Sequence, residues 1–238
     1  MIIADLKGKL TLEEKVSEDF LTSTVFSAFK YLEDKWITKF INQAINIKRE
    51  NLAIEIKDPS YKFWPYYKHK SKFGGGCEPD LIIHTDNKGI IIEAKNYSEK
   101  SGKGVLKDVE GNIEEYILID QLGREYFVGR DKIYADGFYL IYLTRHNNLP
   151  ESAIEESIEA ISEFDDSEKE KAENKIYWIN WYAAKNIFEE IREQYSEGTF
   201  SHKISEDLCK FLERRDLHAF TGFKIIDDDI NFKPESVK

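Results

Sequence analysis

Apolar positions along the chain follow two rhythms. Leu21, Val25, Ala28, Phe29 and Leu32 recur at helical spacing, and Thr11 followed by Glu14 supplies a capping-box pattern upstream of them. Trp36, Phe40, Ile41, Ala44 and Ile45 carry the helical rhythm on to about residue 48. The period then shortens. Segments 52–57, 61–69, 79–86 and 89–96 are rich in Ile, Tyr and Phe and bounded by Asp-Pro, Gly-Gly-Gly and Asn-Lys-Gly, which predicts strands, the last two as a hairpin. Asn112 with Glu115 repeats the capping pattern and opens a helix through Tyr126, with Ile113, Tyr116, Ile117 and Gln121 along one side. The unbroken apolar run GFYLIYLT at 137–144 suits a buried central strand. An acidic amphipathic helix (151–163), a strand (175–181) and helices at 183–195 and 204–214 follow.

The order helix, three strands, helix, strand over residues 12–144 predicts a mixed α+β (α/β) fold, with a central mixed sheet flanked by helices. Residues 145–238 read as an α/β elaboration of that core. No Pro/Gly/Ser linker divides the chain, so one domain over 1–238 is expected. No apolar run approaches the about 18 residues that a membrane span needs, and the start MIIADLKGKLTLEEK has no export pattern. The expectation is a cytoplasmic protein without a membrane partner. Cys77 and Cys209 lie far apart with no further ligands at zinc spacing, which argues against a disulfide framework or a zinc site.

The net charge of -11 opposes non-specific attraction to a polyanion. Its distribution changes the picture. Lys57, Lys62, Lys68, Lys70 and Lys72 precede the hairpin and Lys95, Lys100, Lys103 and Lys107 follow it, while acids crowd residues 151–173. A locally basic face on an acidic chain is expected to bind nucleic acid weakly and in one orientation, through Lys62, Lys68, Lys70, Lys72 and Lys103. Trp64, Tyr66 and Tyr67 among those lysines have the make-up of a stacking surface, although aromatic residues on strands more commonly fill a core.

The chemistry concentrates in GGGCEPDLIIHTDNKGIIIEAKNY. Asp80 opens one apolar strand, and Glu93 and Lys95 close the next. Strand alternation puts Glu93 and Lys95 on one face with Ala94 turned away. A two-residue turn at Asn87-Lys88 would set residue 80 opposite 95 and residue 82 opposite 93, making Asp80 and Glu93 diagonal neighbours. Two carboxylates side by side at the ends of apolar strands repel unless a cation relieves them. Mg²⁺, with Mn²⁺ as a substitute, suits one or two carboxylates completed by water and phosphate oxygens, and the Ala94 carbonyl could add a ligand. Lys95 would hold the attacking water, its pKa falling beside the dication.

Pro79-Asp80, a strand hairpin and then Glu93-Ala94-Lys95 resemble the signature of the PD-(D/E)XK, or restriction-endonuclease-like, nuclease superfamily. The resemblance covers about residues 12–144. It implies an αβββαβ core, Mg²⁺-dependent hydrolysis of phosphodiester bonds, metal-binding roles for Asp80 and Glu93, and a catalytic role for Lys95. Many members carry an acid on the first core helix, where this sequence has Glu18 as a further candidate ligand. Several place a Gln and a Tyr on the helix after the lysine strand, matched here by Gln121 and, with one residue too many between them, Tyr126. The resemblance also implies a DNA endonuclease of restriction or anti-phage defence type, recruited or switched on by a protein partner or by self-association. A nuclease-fold binding subunit without activity, and an RNA-cleaving enzyme on the same scaffold, remain open alternatives.

Overall fold

Every inner strand of the sheet divides its side chains between two cores, and that alternation organises the molecule. The computed structural model describes residues 7, 17–68, 76–86, 88–96, 119–134 and 137–217. The capping patterns at Thr11/Glu14 and Asn112/Glu115 lie outside them.

Helix α1 (Glu18–Phe29) starts at Ser17, whose side chain accepts the Phe20 amide. Helix α2 (Asp34–Ile41) follows. Strands β1 (Ile45–Asn46), β2 (Ser60–Phe63), β5 (Leu81–Thr85) and β6 (Lys88–Ala94) belong to one sheet, while β3 (Tyr67–Lys68) and β4 (Gly76–Cys77) pair as a separate ribbon. Then come α3 (Gln121–Val128), a π-helical turn (Gly129–Ile133), β7 (Phe138–Thr144), α4 (Glu151–Phe164), a 3₁₀ turn (Asp166–Glu168), α5 (Lys169–Lys175), β8 (Ile176–Asn180), α6 (Trp181–Gln194) and α7 (Phe200–Glu213).

The fold is a mixed α+β arrangement around a six-stranded sheet of order β1-β8-β7-β6-β5-β2, with helices on both faces. β6, β7 and β8 run parallel and the remaining pairs antiparallel. Leu81, Ile83, Ile90, Ile92, Ile141, Leu143 and Ile179 face the core formed with α1, α2, α6 and α7. Ile82, Ile91, Leu140, Tyr142, Ile176 and Trp178 face the other, formed with α3, α4 and α5. A period of two applied to strands buried on both sides gives this split directly.

Four expectations need correction. The helical rhythm ends at Ile41, because Ile45 leaves it to pair with Trp178 at the sheet edge. Residues 52–57 are extended but join no ladder: Asn42 bonds both backbone groups of Ile54 and Thr38 both of Ile56, replacing a partner strand. The strand expected over 61–69 breaks at Trp64-Pro65, where Trp64 takes the left-handed φ of 48°. The stretch 145–217 is not peripheral. It supplies β8, an inner strand between β1 and β7, and much of the first core.

Candidate active site

β5 and β6 pair with Thr85 opposite Lys88 and Leu81 opposite Ile92. The turn therefore begins one residue earlier than expected, at Asp86, whose φ is 40°. Continued by one step, this register sets Asp80 directly across from Glu93 instead of diagonally. The register thus differs from the expected one by two residues, an even slip, so all side chains keep their faces.

Asp80 is buried, and its Oδ2 accepts the Ala94 amide at 2.8 Å, which fastens the carboxylate to the end of β6. Ala94 itself packs into the opposite core, as alternation requires. Glu93 is 1% exposed. Lys95 follows the last residue of β6, held by its amide on the Leu143 carbonyl at 2.8 Å and by its carbonyl on the Trp181 indole N–H at 3.2 Å. Its ammonium forms ion pairs with Glu93 and, at 3.1 Å, with Glu18 Oε1. Glu18 Oε2 accepts the Asn96 amide at 2.7 Å, so the first residue of α1 closes over the end of β6. Arg145 bonds Asn96 Oδ1 at 3.1 Å and the carbonyls of Arg215 and Asp216, joining that strand end to the end of α7.

One member of the cluster escaped the sequence reading. Glu125 on α3 is 0% exposed and lies against Glu93, with Gln121 Nε2 donating to its Oε1 at 3.1 Å. Gln121 thus reaches the cluster through Glu125. The legible signal was an acid at i+4 from Gln121, flanked by the buried Leu122, Tyr126 and Phe127. Tyr126 turns elsewhere and donates to Glu168 at 2.6 Å.

The electrostatics follow from burial. Asp80 is pushed up to about 8, by desolvation first and by Glu93 second, against the opposing bond from Ala94. Burial raises both Glu93 and Glu125, so without a cation the two facing carboxyls share a proton. Burial alone would lower Lys95, but Glu93, Glu18 and Asp80 outweigh it and hold the ammonium above the ordinary lysine range. The fall expected for Lys95 is therefore not a property of these side chains without a cation.

Two features bear on whether a cation fits. Glu93 and Glu125 Oε2 have no hydrogen-bond donor, and Glu93 Oε1 has an ion pair with Lys95 but no directed hydrogen bond. Two touching carboxylates with no donor between them need a shared proton or a cation. Three carboxylates (Glu18, Asp80, Glu93) share the ammonium of Lys95, and Glu125 lies against Glu93 behind them. Among the described residues no group of three or more His, Cys, Asp or Glu is disposed to hold a metal by itself. A hard cation here would take one or two of these carboxylates and complete its shell from water or substrate, the habit of Mg²⁺.

The remaining candidates scatter. Lys62 is exposed on the edge strand β2, opposite Ile82. Lys68 ends β3. Lys70, Lys72, Lys100, Lys103 and Lys107 lie outside the described residues. Lys57 pairs with Glu55 and is bonded to Thr85, at the far end of β5 from Asp80. No helix among the described residues is long and apolar enough to cross a membrane.

The chain matches no family model and no solved structure. Over 86 residues it is 31% identical to a Pasteurella multocida (strain Pm70) protein described as "Uncharacterized protein PM0110". That stretch is 36% of this chain and 31% of the relative, so the chain matches about a third of the relative's length.

Proposed function

We propose that this chain is a metal-dependent nuclease of the PD-(D/E)XK kind, hydrolysing phosphodiester bonds, with DNA as the favoured substrate. The observation that carries the reading is the pairing of Asp80 and Glu93 across adjacent strands, with Lys95 on Glu93 and donor-free carboxylate oxygens between sheet and α3. The sequence α1, β2, β5, β6, α3, β7 also agrees with an αβββαβ core.

Bound Mg²⁺ or Mn²⁺ would polarise the scissile phosphate and lower the pKa of a coordinated water. Asp80 and Glu93, with the Ala94 carbonyl beside them, would hold it. The Lys95 ammonium pairs with Glu93 and its residue is anchored at both backbone atoms, so it would orient the attacking water and offset charge on the phosphate. Glu18 steers the Lys95 ammonium through its 3.1 Å contact. The chain's charge of -11 supports delivery to substrate by a partner protein or a second copy.

The test is incubation with plasmid, single-stranded DNA and RNA, with and without Mg²⁺ or Mn²⁺, for the wild type, Asp80→Asn and Lys95→Ala. Metal-dependent cleavage reduced at least about 100-fold by Lys95→Ala is expected. A wild type that binds metal but leaves every substrate intact favours the inactive binding-subunit reading. Cleavage confined to RNA would reassign the substrate.

A further inference from the structure

The strand register places the backbone of one aromatic residue, Trp64, beside the acidic cluster. β2 is the edge strand, and its pairing with β5 continues past Phe63–Leu81 to a bond from the Trp64 amide to the Asp80 carbonyl at 3.1 Å. Trp64, Asp80 and Glu93 therefore stand in one row across three neighbouring strands. Interstrand spacing puts the Trp64 backbone about 5 Å from that of Asp80 and about 10 Å from that of Glu93.

Tyr61 and Phe63 on β2 pack against the core, whereas Lys62, Trp64 and Tyr66 are exposed, Trp64 to 37% and Tyr66 to 64%. A lysine followed by two open aromatic rings, the first of them fixed by its amide to the backbone of a cluster carboxylate, fits neither a core nor a solvated edge. Trp64 holds its left-handed φ immediately before Pro65, a conformation unusual for a bulky residue, and Phe63 lies against its ring at 5.6 Å between centroids. The backbone is held by its bond to Asp80, and one side of the ring is covered by Phe63. Preformed aromatic faces next to a lysine suit unpaired nucleobases, because every base offers a π-face and a duplex keeps its faces stacked inside.

Resting on the nuclease reading, we infer that Trp64 and Tyr66 form a stacking platform for unpaired bases next to the scissile phosphate. The preferred substrate is then a single strand, or a duplex with an unpaired segment.

The platform can be read without cleavage. Of the four tryptophans, Trp36, Trp178 and Trp181 are buried, leaving Trp64 as the one a ligand can meet. In EDTA, a short oligothymidylate should quench the intrinsic fluorescence of the full-length protein and bind more tightly than a blunt duplex. Trp64→Ala should abolish the quench and weaken binding by about 5- to 150-fold, Trp64→Phe should retain most of the affinity, and Tyr66→Ala should weaken it while leaving Trp64 to report. Tyr66→Ala, at a well-exposed position, serves if Trp64→Ala does not fold. Heparin, a polyanion without bases, should bind equally to wild type and variants.

Equal affinity of wild type, Trp64→Ala and Tyr66→Ala for the oligothymidylate, no binding of it at all, or a preference for the blunt duplex overturns the platform. Platform-dependent binding with no cleavage under Mg²⁺ or Mn²⁺ would leave the platform standing and remove the nuclease reading. Cleavage of blunt duplex that Trp64→Ala leaves unchanged would do the reverse.

Discussion

Glu125 has the strongest conflict with its surroundings of any residue at the site: a fully buried acid against a second acid, with one oxygen lacking a donor. In the metal-free protein its protonated form is the stable one, and Gln is close to that form in shape and charge. Glu125→Gln should therefore leave the metal-free melting temperature unchanged or raise it by about 2–4 °C, the shift of about 1 kcal/mol for a chain this size. If the cluster attracts cations, the same change should shrink the rise produced by Mn²⁺; an undiminished rise would remove Glu125 from cation binding. Asp80 gives a pH signature. Its carboxyl titrates near 3.8 when unfolded and near 8 when folded and metal-free, so between those values the folded chain holds a proton that the unfolded chain has released. Stability from this residue therefore falls as pH rises from about 4 to about 8. In EDTA, wild type should lose stability relative to Asp80→Asn across that window, and melting curves that stay parallel would contradict the assignment.

At the scale of elements, α3 decides where Gln121 and Glu125 stand, and its start is fixed by Asp120. One carboxylate oxygen caps the Gly123 amide at 2.9 Å, and the other accepts the Ser157 hydroxyl of α4 at 2.6 Å. A single side chain thus both caps α3 and docks it on α4 over the same sheet face. Asp120→Ala should cost about 1–3 kcal/mol, through a lost cap and a buried hydroxyl left unpaired, and lower the melting temperature by several degrees. It should also weaken Mn²⁺ binding, because the i and i+4 positions move with the helix. The other end of α3 is equally constrained. A Cβ on Gly129 would come within 2.3 Å of the Phe138 ring, so the π-helical turn can approach β7 only with glycine there.

For the whole molecule, the cluster lies where α1, α3, β5 and β6 meet and where Arg145 binds the end of α7, so filling it should stabilise the fold as a unit. Mn²⁺ at about one hundred times its dissociation constant should add about 2.7 kcal/mol, or about 5–10 °C in melting temperature. Asp80→Asn should lose most of that rise. Calorimetry in EDTA and in Mn²⁺ checks both, and an identical rise in the variant would place the cation elsewhere.

By itself the sequence determined what depends on neighbours along the chain. Ile-rich apolar runs bounded by turn residues marked β5 and β6, the apolar run at 138–144 marked a central strand, and Asp80, Glu93 and Lys95 stood out as charges ending apolar strands. Their shared face survived an error in the turn because the pleat has period two, and a two-residue slip of register preserves it. Tertiary structure decided whatever depends on a partner remote in sequence. Residues 52–57 have a strand's composition, yet Asn42 and Thr38 take their hydrogen bonds. Ile45 left its helix because β8 offered an open edge. Glu125 resembled any surface acid until α3 docked it on Glu93, and Trp64 an ordinary strand aromatic until its amide met the Asp80 carbonyl. Burial and desolvation arise only on packing, and they separate a carboxylate that needs a cation from one that water satisfies.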